Sequence, residues 1–545
     1  MDYDLIVVGA GSSGAVVAAR LAEDEGRRVL LLEAGPHFAS PDALPEPLLA
    51  AHTAVLKGYN WPFQAHIREP ERAGAVRRSG RVLSASTGAS RLPMAKVAMR
   101  SALRGDPLMT RFDYPVGRVS GGSSAVNGTL ALIGPPEDYD DWAARGNPSW
   151  AWDNIGRHFR ELISRDGTVE YGRVPVQSCT AEALTTTQRA FVDACRTRGF
   201  DWCGDLGETA AGGVGVLPRN VHRQRRMSSA LCFLHAGQER GNLTVRDRVN
   251  VNRVLLRNNS VIGVELSDGG RLESVTAPQV VLCAGAINTP AILMRSGIGD
   301  RAQLSELGIP VQLELPGVGR NLMDHPSVGL WCVPTPGACT AGEDVHQAML
   351  RYTSEAGAHD NDMSLYMLSS VDTRQFPELQ MVLGAPLGMS ITVTLGKPES
   401  RGRIVLKDRS PESKPGVYLN CASVERDVTR LMEGVRTAWS LLQTSPLQDK
   451  VQRVFAWNQR IVDSDQLLRE SIATFVRGSW HAGGTARMGP SADPMAVTDE
   501  QGGVHGCRGL FVADASIMPT LPRVPTNLSC MMIGERIADI LSGKA

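Results

Sequence analysis

The chain has 545 residues, 42% hydrophobic and 21% charged, which exceeds what one hydrophobic core normally organises, so two domains, consecutive or interleaved, are expected. Lys plus Arg and Asp plus Glu are equal at 57 each, which excludes a global field that draws in nucleic acid or an anionic membrane and leaves only local patches for charge-driven partners. The ten cysteines are scattered, with no Cys-x-x-Cys pair and no Cys/His cluster at zinc spacing, so reduced thiols, a cytoplasmic location and no metal are expected.

The first apolar run, Leu5-Ile6-Val7-Val8, leads into Gly9-Ala10-Gly11-Ser12-Ser13-Gly14. This is a buried strand turning into a helix. Its Gly9-x-Gly11-x-x-Gly14 turn lets backbone approach a pyrophosphate and seats that anion on a helix N-terminus. Asp2 and Asp4 stand where a signal peptide would be basic, and the run stops after four residues, so no secretory leader is read. No run reaches the roughly 18 to 20 apolar residues of a membrane span. The helix from Ala15 to Leu21 is rich in small residues. A second run, Val29 to Leu32, ends at Glu33, 19 residues after Gly14, where a first βαβ unit presents an acid to ribose hydroxyls. An adenine dinucleotide is the expected ligand.

Beyond Glu33 comes a Pro-rich loop, Pro36 to Pro47, and then a basic stretch from Arg68 to Arg118 with eleven Lys or Arg against four Asp or Glu. Within it, Leu92 to Leu103 has apolar residues at helical spacing, with Lys96 and Arg100 one turn apart. Two readings stand: a solvated surface helix, or a docking surface for an anionic carrier, a membrane edge or a second subunit. Next, Gly121-Gly122-Ser123-Ser124-Ala125-Val126-Asn127-Gly128 exposes N–H and hydroxyl donors along a bent backbone, as a phosphate or flavin edge requires, and Asn127 adds an amide that can meet a ring carbonyl. An aromatic stretch through Trp142, Trp150 and Trp152 leads toward a helix at Asp153.

These residues carry a resemblance. The chain is similar to the glucose-methanol-choline oxidoreductases, flavoenzymes that bind FAD and oxidise alcohols, and within them to the bacterial choline dehydrogenase and hydroxymethylfurfural oxidase branch. The blocks run nearly end to end: Asn242 to Val245, Val280 to Pro290, Ser296 to Gly299, Pro316 to Pro326 (through Asp324-His325), Trp480 to Thr485, Val512 to Ser516, and Pro525-Thr526-Asn527. The resemblance implies an α/β fold with a Rossmann-like FAD-binding domain assembled from residues 1–155, 213–315 and 478–545. It implies an α+β substrate domain with an antiparallel sheet from 156–212 and 316–477. Arg403 to Leu406 reads locally as a short strand and Val424 to Leu442 as an amphipathic helix, whereas 327–395 give signals too weak to place strands.

The resemblance also implies roles. His481 is the catalytic base, since hydride leaves an alcohol carbon readily only as the hydroxyl loses its proton and imidazole titrates near neutral pH. Asn527 is its partner and can hold the substrate oxygen but cannot act as a base. Asp514 and Ala515 close the cofactor site and Val251 is the apolar adenine contact. Further FAD contacts are implied at Ser12, Ser13, Ala34, Trp61, Arg118, Gly122, Ser123, Gly128, Thr129, Leu130, Trp480 and Thr526. Some relatives tether FAD through a His immediately before the position of Asn127; here that residue is Val126, so non-covalent FAD is expected. The basic 68–118 stretch looks longer than the corresponding loop of the furfural-oxidase-like members and could gate access. No feature assigns a cage for choline's cation, so choline is not favoured. The expected activity is oxidation of a small-molecule alcohol with electrons passing to O2 or another acceptor; a flavin-containing lyase of the hydroxynitrile type and a catalytically silent flavin-binding protein are the alternatives.

Overall fold

The computed structural model describes residues 2–68, 111–165 and 168–544. The expected helix at 92–103, with Lys96 and Arg100, lies outside the described residues. Leu5–Val8 and Val29–Leu32 are buried at every position, as strands covered on both faces must be. They form the middle of a five-stranded parallel sheet in the order Leu243–Arg246, Val29–Leu32, Leu5–Val8, Val280–Leu282, Leu510–Val512. The helix Gly14–Leu21 follows the first strand, and the helix Asn527–Leu541 packs across it. Gly534 on the latter makes that approach possible, since a Cβ there would lie 2.8 Å from the Ser13 carbonyl oxygen.

The second layer is an eight-stranded sheet in which Val451–Val454, Pro326–Pro334, Leu387–Leu395, Met363–Asp372 and His346–Tyr352 are successive antiparallel neighbours. Gly213–Val216 and Trp202–Asp205 extend it, and Arg477–Gly478 pairs with its Pro326 end. A domain boundary at 213 would therefore cut this sheet. Strand alternation assigns its two faces. In Pro326–Pro334, Val328, Leu330 and Cys332 are fully buried, and the amphipathic helix Glu425–Leu442 covers that face. Ser327, Gly329 and Trp331 face the other way, into the molecule's large cavity.

This is the α/β fold that the resemblance implies. The short strand is Arg403–Val405 and the long helix Glu425–Leu442. Residues 327–395 supply most of the large sheet. The alternation is present in the sequence: in Leu387–Leu395, Met389, Ile391, Val393 and Leu395 are fully buried on the side covered by Glu425–Leu442, while Thr392 and Thr394 line the cavity.

Candidate active site

A cavity of ≈ 670 Å³ runs from the glycine turn to the large sheet. At one end, Gly9 has φ +99°, and a Cβ there would lie 2.6 Å from the Cys283 carbonyl oxygen; a Cβ on Gly14 would lie 1.9 Å from the Gly9 carbonyl oxygen. Both glycines are demanded by the protein's own packing. Gly11 differs: a Cβ there would meet nothing closer than 3.9 Å, so the space beside it belongs to the cavity. Gly121 donates its N–H to the Ala10 carbonyl (2.7 Å), and a Cβ on Gly122 would lie 2.6 Å from Gly11 Cα. The two glycine-rich loops are thus in backbone contact at this end of the cavity, where Gly11 and Gly122 line it.

Glu33 is buried, with Ala10 N–H donating to Oε2 (2.9 Å) and Gly35 N–H to Oε1 (2.7 Å). Burial pushes its carboxyl pKa up, and those donors pull against it. It borders the cavity with Ala34 and with Val251, which ends an apolar strip on Val249–Arg257. Asp514 is buried rather than a solvated loop acid; Gly285 N–H (2.8 Å), Thr289 hydroxyl (2.6 Å) and both donors of Ser516 saturate its carboxylate. It ties Gly285 and Thr289 to Ser516 at the cavity wall.

Asn127 accepts from Thr129 N–H (2.9 Å) and Arg226 (3.2 Å) through Oδ1, which leaves its NH2 for the cavity it lines. Of the other expected contacts, Gly9, Ser12, Ser13, Trp61, Gly122, Ser123, Gly128, Leu130, Trp480, Ala515 and Thr526 line the same cavity. Gly14, Arg118 and Thr129 do not. Gly14 lies beneath the turn, Arg118 donates to the Ala34 carbonyl (3.2 Å) and stacks on Trp61 (4.6 Å), and Thr129 is held by Arg219 (2.9 Å).

At the far end, Asn527 opens the helix Asn527–Leu541 and accepts from the Ser12 hydroxyl (2.9 Å). Its Nδ2 is buried without a partner among the described residues. His481 lines the same region, held by three residues to which sequence reasoning gave no role. Asp324 accepts from Ser479 N–H (3.1 Å), His481 N–H (3.0 Å) and the Tyr114 hydroxyl (2.6 Å), while Ala482 N–H donates to the same hydroxyl (3.1 Å). This clamp holds Trp480 between its donors in the left-handed region, φ +64°. Burial pushes Asp324 up to about 6.

The third residue is His325, buried against His481 with Nδ1 facing Nδ1 at 2.9 Å, its Nε2 2.9 Å from the Pro522 carbonyl. A carbonyl only accepts, so His325 Nε2 carries the proton; its Nδ1 then accepts from His481 Nδ1–H, and His481 Nε2 is left as a lone pair. Burial, with His325 alongside, holds the His481 pKa well below its ordinary value. The shift runs away from the near-neutral titration of an ordinary imidazole. The adjacent Asp324-His325 pair stands in the sequence, but nothing local places it against a residue 156 positions on.

The residues present fit FAD: a glycine turn open to the cavity at Gly11 for the pyrophosphate, the buried Glu33 beside Val251, and the free amide of Asn127 for a polar ring system. Fold and site define a dinucleotide-dependent flavoprotein. The GMC oxidoreductase model matches residues 3–327 and its C-terminal counterpart residues 398–534, so the chain belongs to the GMC oxidoreductase family and its cofactor is FAD. It is 32% identical to the 5-(hydroxymethyl)furfural oxidase of Methylovorus sp., covering 100% of this chain and 99% of that one. It is 30% identical to the oxygen-dependent choline dehydrogenase of Photobacterium profundum, over 99% and 93%. Among solved structures, pyridoxine 4-oxidase from Mesorbium loti superposes with a TM-score of 0.80 at 25% identity, covering 98% of each chain. No helix among the described residues is long and apolar enough to cross a membrane.

Proposed function

We propose that this enzyme oxidises an uncharged alcohol to an aldehyde or ketone, with His481 as general base and electrons passing to O2 or another acceptor. The observation that carries the reading is the Pro522–His325–His481 chain of hydrogen bonds, which leaves Nε2 of His481 as an unprotonated acceptor. FAD, when bound, supplies the two-electron acceptor for the hydride. His481 Nε2 takes the hydroxyl proton as that hydride leaves the carbon. Asn527, its Oδ1 occupied by Ser12, donates Nδ2–H to the alcohol oxygen. Asp324 and Tyr114 act through the backbone of 479–482 to hold the imidazole in place.

Charge at the cavity favours a neutral substrate. Among the described residues lining it, the carboxylates are Glu33, Asp372 and Asp514. Backbone or hydroxyl donors hold Glu33 and Asp514, and Arg374 pairs with Asp372 at 2.8 Å, so a cationic alcohol finds no free carboxylate. Val126 has no nucleophilic atom, which supports dissociable FAD. We assign the cofactor to 1–155, 213–315 and 478–545 and the alcohol to 156–212 and 316–477, with Gly213–Val216 shared through the large sheet. The names of the relatives, oxidase and oxygen-dependent dehydrogenase, support O2 as acceptor.

Anaerobic mixing with a panel of primary and secondary alcohols tests the reading. Bleaching of the flavin band by at least one alcohol is expected; aldehyde release without bleaching would instead establish a lyase.

A further inference from the structure

The cavity has a second imidazole that the mechanism does not use. His346 starts the strand His346–Tyr352 and lines the cavity. A Cβ built on Gly128 would lie 3.5 Å from His346 Cε1 and 3.6 Å from Nδ1, so the ring lies against the loop that carries Asn127. Neither ring nitrogen makes a hydrogen bond among the described residues.

The segments around the ring are tied together by a polar network. Asp344, two residues before it, is paired with Arg219 at 2.6 Å, and Arg219 Nε donates to Thr129 (2.9 Å). Thr129 N–H in turn donates to Asn127 Oδ1. Burial, with Arg219 alongside, pushes the His346 pKa down to about 4, so at neutral pH it presents one N–H donor and one bare nitrogen. A ligand that offers these nitrogens a hydrogen-bond partner is favoured over one that does not.

The sheet register shows which ligand His346 serves. Trp331 pairs with Ser390, Ser390 with Leu368, and Leu368 with His346. Trp331, Leu368 and His346 therefore share one cross-strand row of the large sheet, about 14 Å end to end at the usual strand spacing, and all three line the cavity. The row is apolar at its indole end and polar at its imidazole end. The indole turns back over Gly329, where a Cβ would lie 2.7 Å from Trp331 Nε1, which gives the cavity a flat aromatic surface.

We propose that His346 is a substrate-recognition residue, and that the preferred substrate is an uncharged aryl or other cyclic alcohol bearing a second hydrogen-bonding group (hydroxyl, carbonyl or ring nitrogen) away from its carbinol. The inference rests on the alcohol-oxidation reading for the first group and adds the second. His346 moves no proton in the reaction.

The test uses the FAD-loaded enzyme and its His346→Phe and His346→Gln variants. Benzyl alcohol is compared with 3- and 4-hydroxybenzyl alcohol in turnover, and benzaldehyde with 3- and 4-hydroxybenzaldehyde in binding to the oxidised protein, read from the perturbed flavin spectrum. In His346→Phe, KM and Kd for at least one hydroxylated compound should rise about tenfold or more, the value of about one hydrogen bond. The unsubstituted compounds should hold within about twofold and kcat should not change; His346→Gln should recover part of the loss. Equal effects on both sets, or none, would show an imidazole satisfied by water and overturn the proposal. Loss of FAD from both variants would assign the ring to the cofactor and overturn it equally. His346-dependent aldehyde discrimination in a protein that no alcohol reduces would uphold the recognition role while removing the redox reading.

Discussion

Replacing His325 with Leu keeps a buried side chain of similar bulk and removes the acceptor that fixes the His481 tautomer. His481 Nδ1–H and the Pro522 carbonyl both lose a partner at 2.9 Å. Stranding one such buried group costs roughly 1–3 kcal/mol; if that cost falls on the reactive orientation of His481, flavin reduction slows about five- to 150-fold. The acid limb should move as well. His325 helps to hold the His481 pKa down, so its loss raises that pKa, and because a base fails as pH falls through its pKa, the rate should begin to fall at a higher pH than in the parent. Anaerobic stopped-flow reduction at saturating alcohol across pH measures both effects, with FAD content as the control. His325→Gln, which can donate to Pro522 and accept from His481, should recover part of the rate. Parental rates and an unmoved acid limb in His325→Leu, with FAD retained, would refute the tautomer argument.

Gly11→Ala should fold and bind FAD at least about tenfold more weakly, because its methyl enters the cavity; Gly14→Ala should fail to fold, with its Cβ 1.9 Å from the Gly9 carbonyl oxygen. Equilibrium dialysis and circular dichroism separate the two, and full FAD retention by Gly11→Ala would place the pyrophosphate elsewhere. Asn527→Ala should raise the activation free energy of flavin reduction by roughly 1–3 kcal/mol while the base remains; an unchanged rate would remove the amide from the substrate's oxygen. Acid should destabilise the fold. Burial holds His158, His325 and His346 at about 4 against an ordinary 6.5, so the unfolded chain binds more protons in that window and each removes roughly 3 kcal/mol as pH falls through it. Asp324, raised from 3.8 to about 6, acts in the opposite direction by about 3 kcal/mol. The net expectation is a melting temperature that falls from neutral pH toward pH of about 4, and a rise would contradict it.

The cofactor end was legible because its signals are local: Gly9-x-Gly11-x-x-Gly14 and the acid 19 residues beyond stand within one βαβ unit. Local motifs do not record where each side chain turns. Thr129 lies next to Asn127 and Gly128 in sequence, yet its hydroxyl turns to Arg219, and the Asp514 carboxylate turns to Gly285, Thr289 and Ser516. The substrate end was scarcely legible, because Tyr114, Asp324, His325 and His481 meet only through the tertiary fold. His346 and Trp331 share a row only through strand register across three pairings, which no single-strand pattern records. Burial was equally invisible, and it moves the His481 pKa down from that of an ordinary imidazole.

The most direct test of the central claim is the rate of anaerobic flavin reduction in His481→Ala. The account predicts a loss of roughly 10² to 10⁴-fold, the usual contribution of a positioned acid–base group, with FAD content unchanged and the acid limb abolished. Reduction at the parental rate with the parental pH dependence would contradict it and remove His481 from the proton transfer.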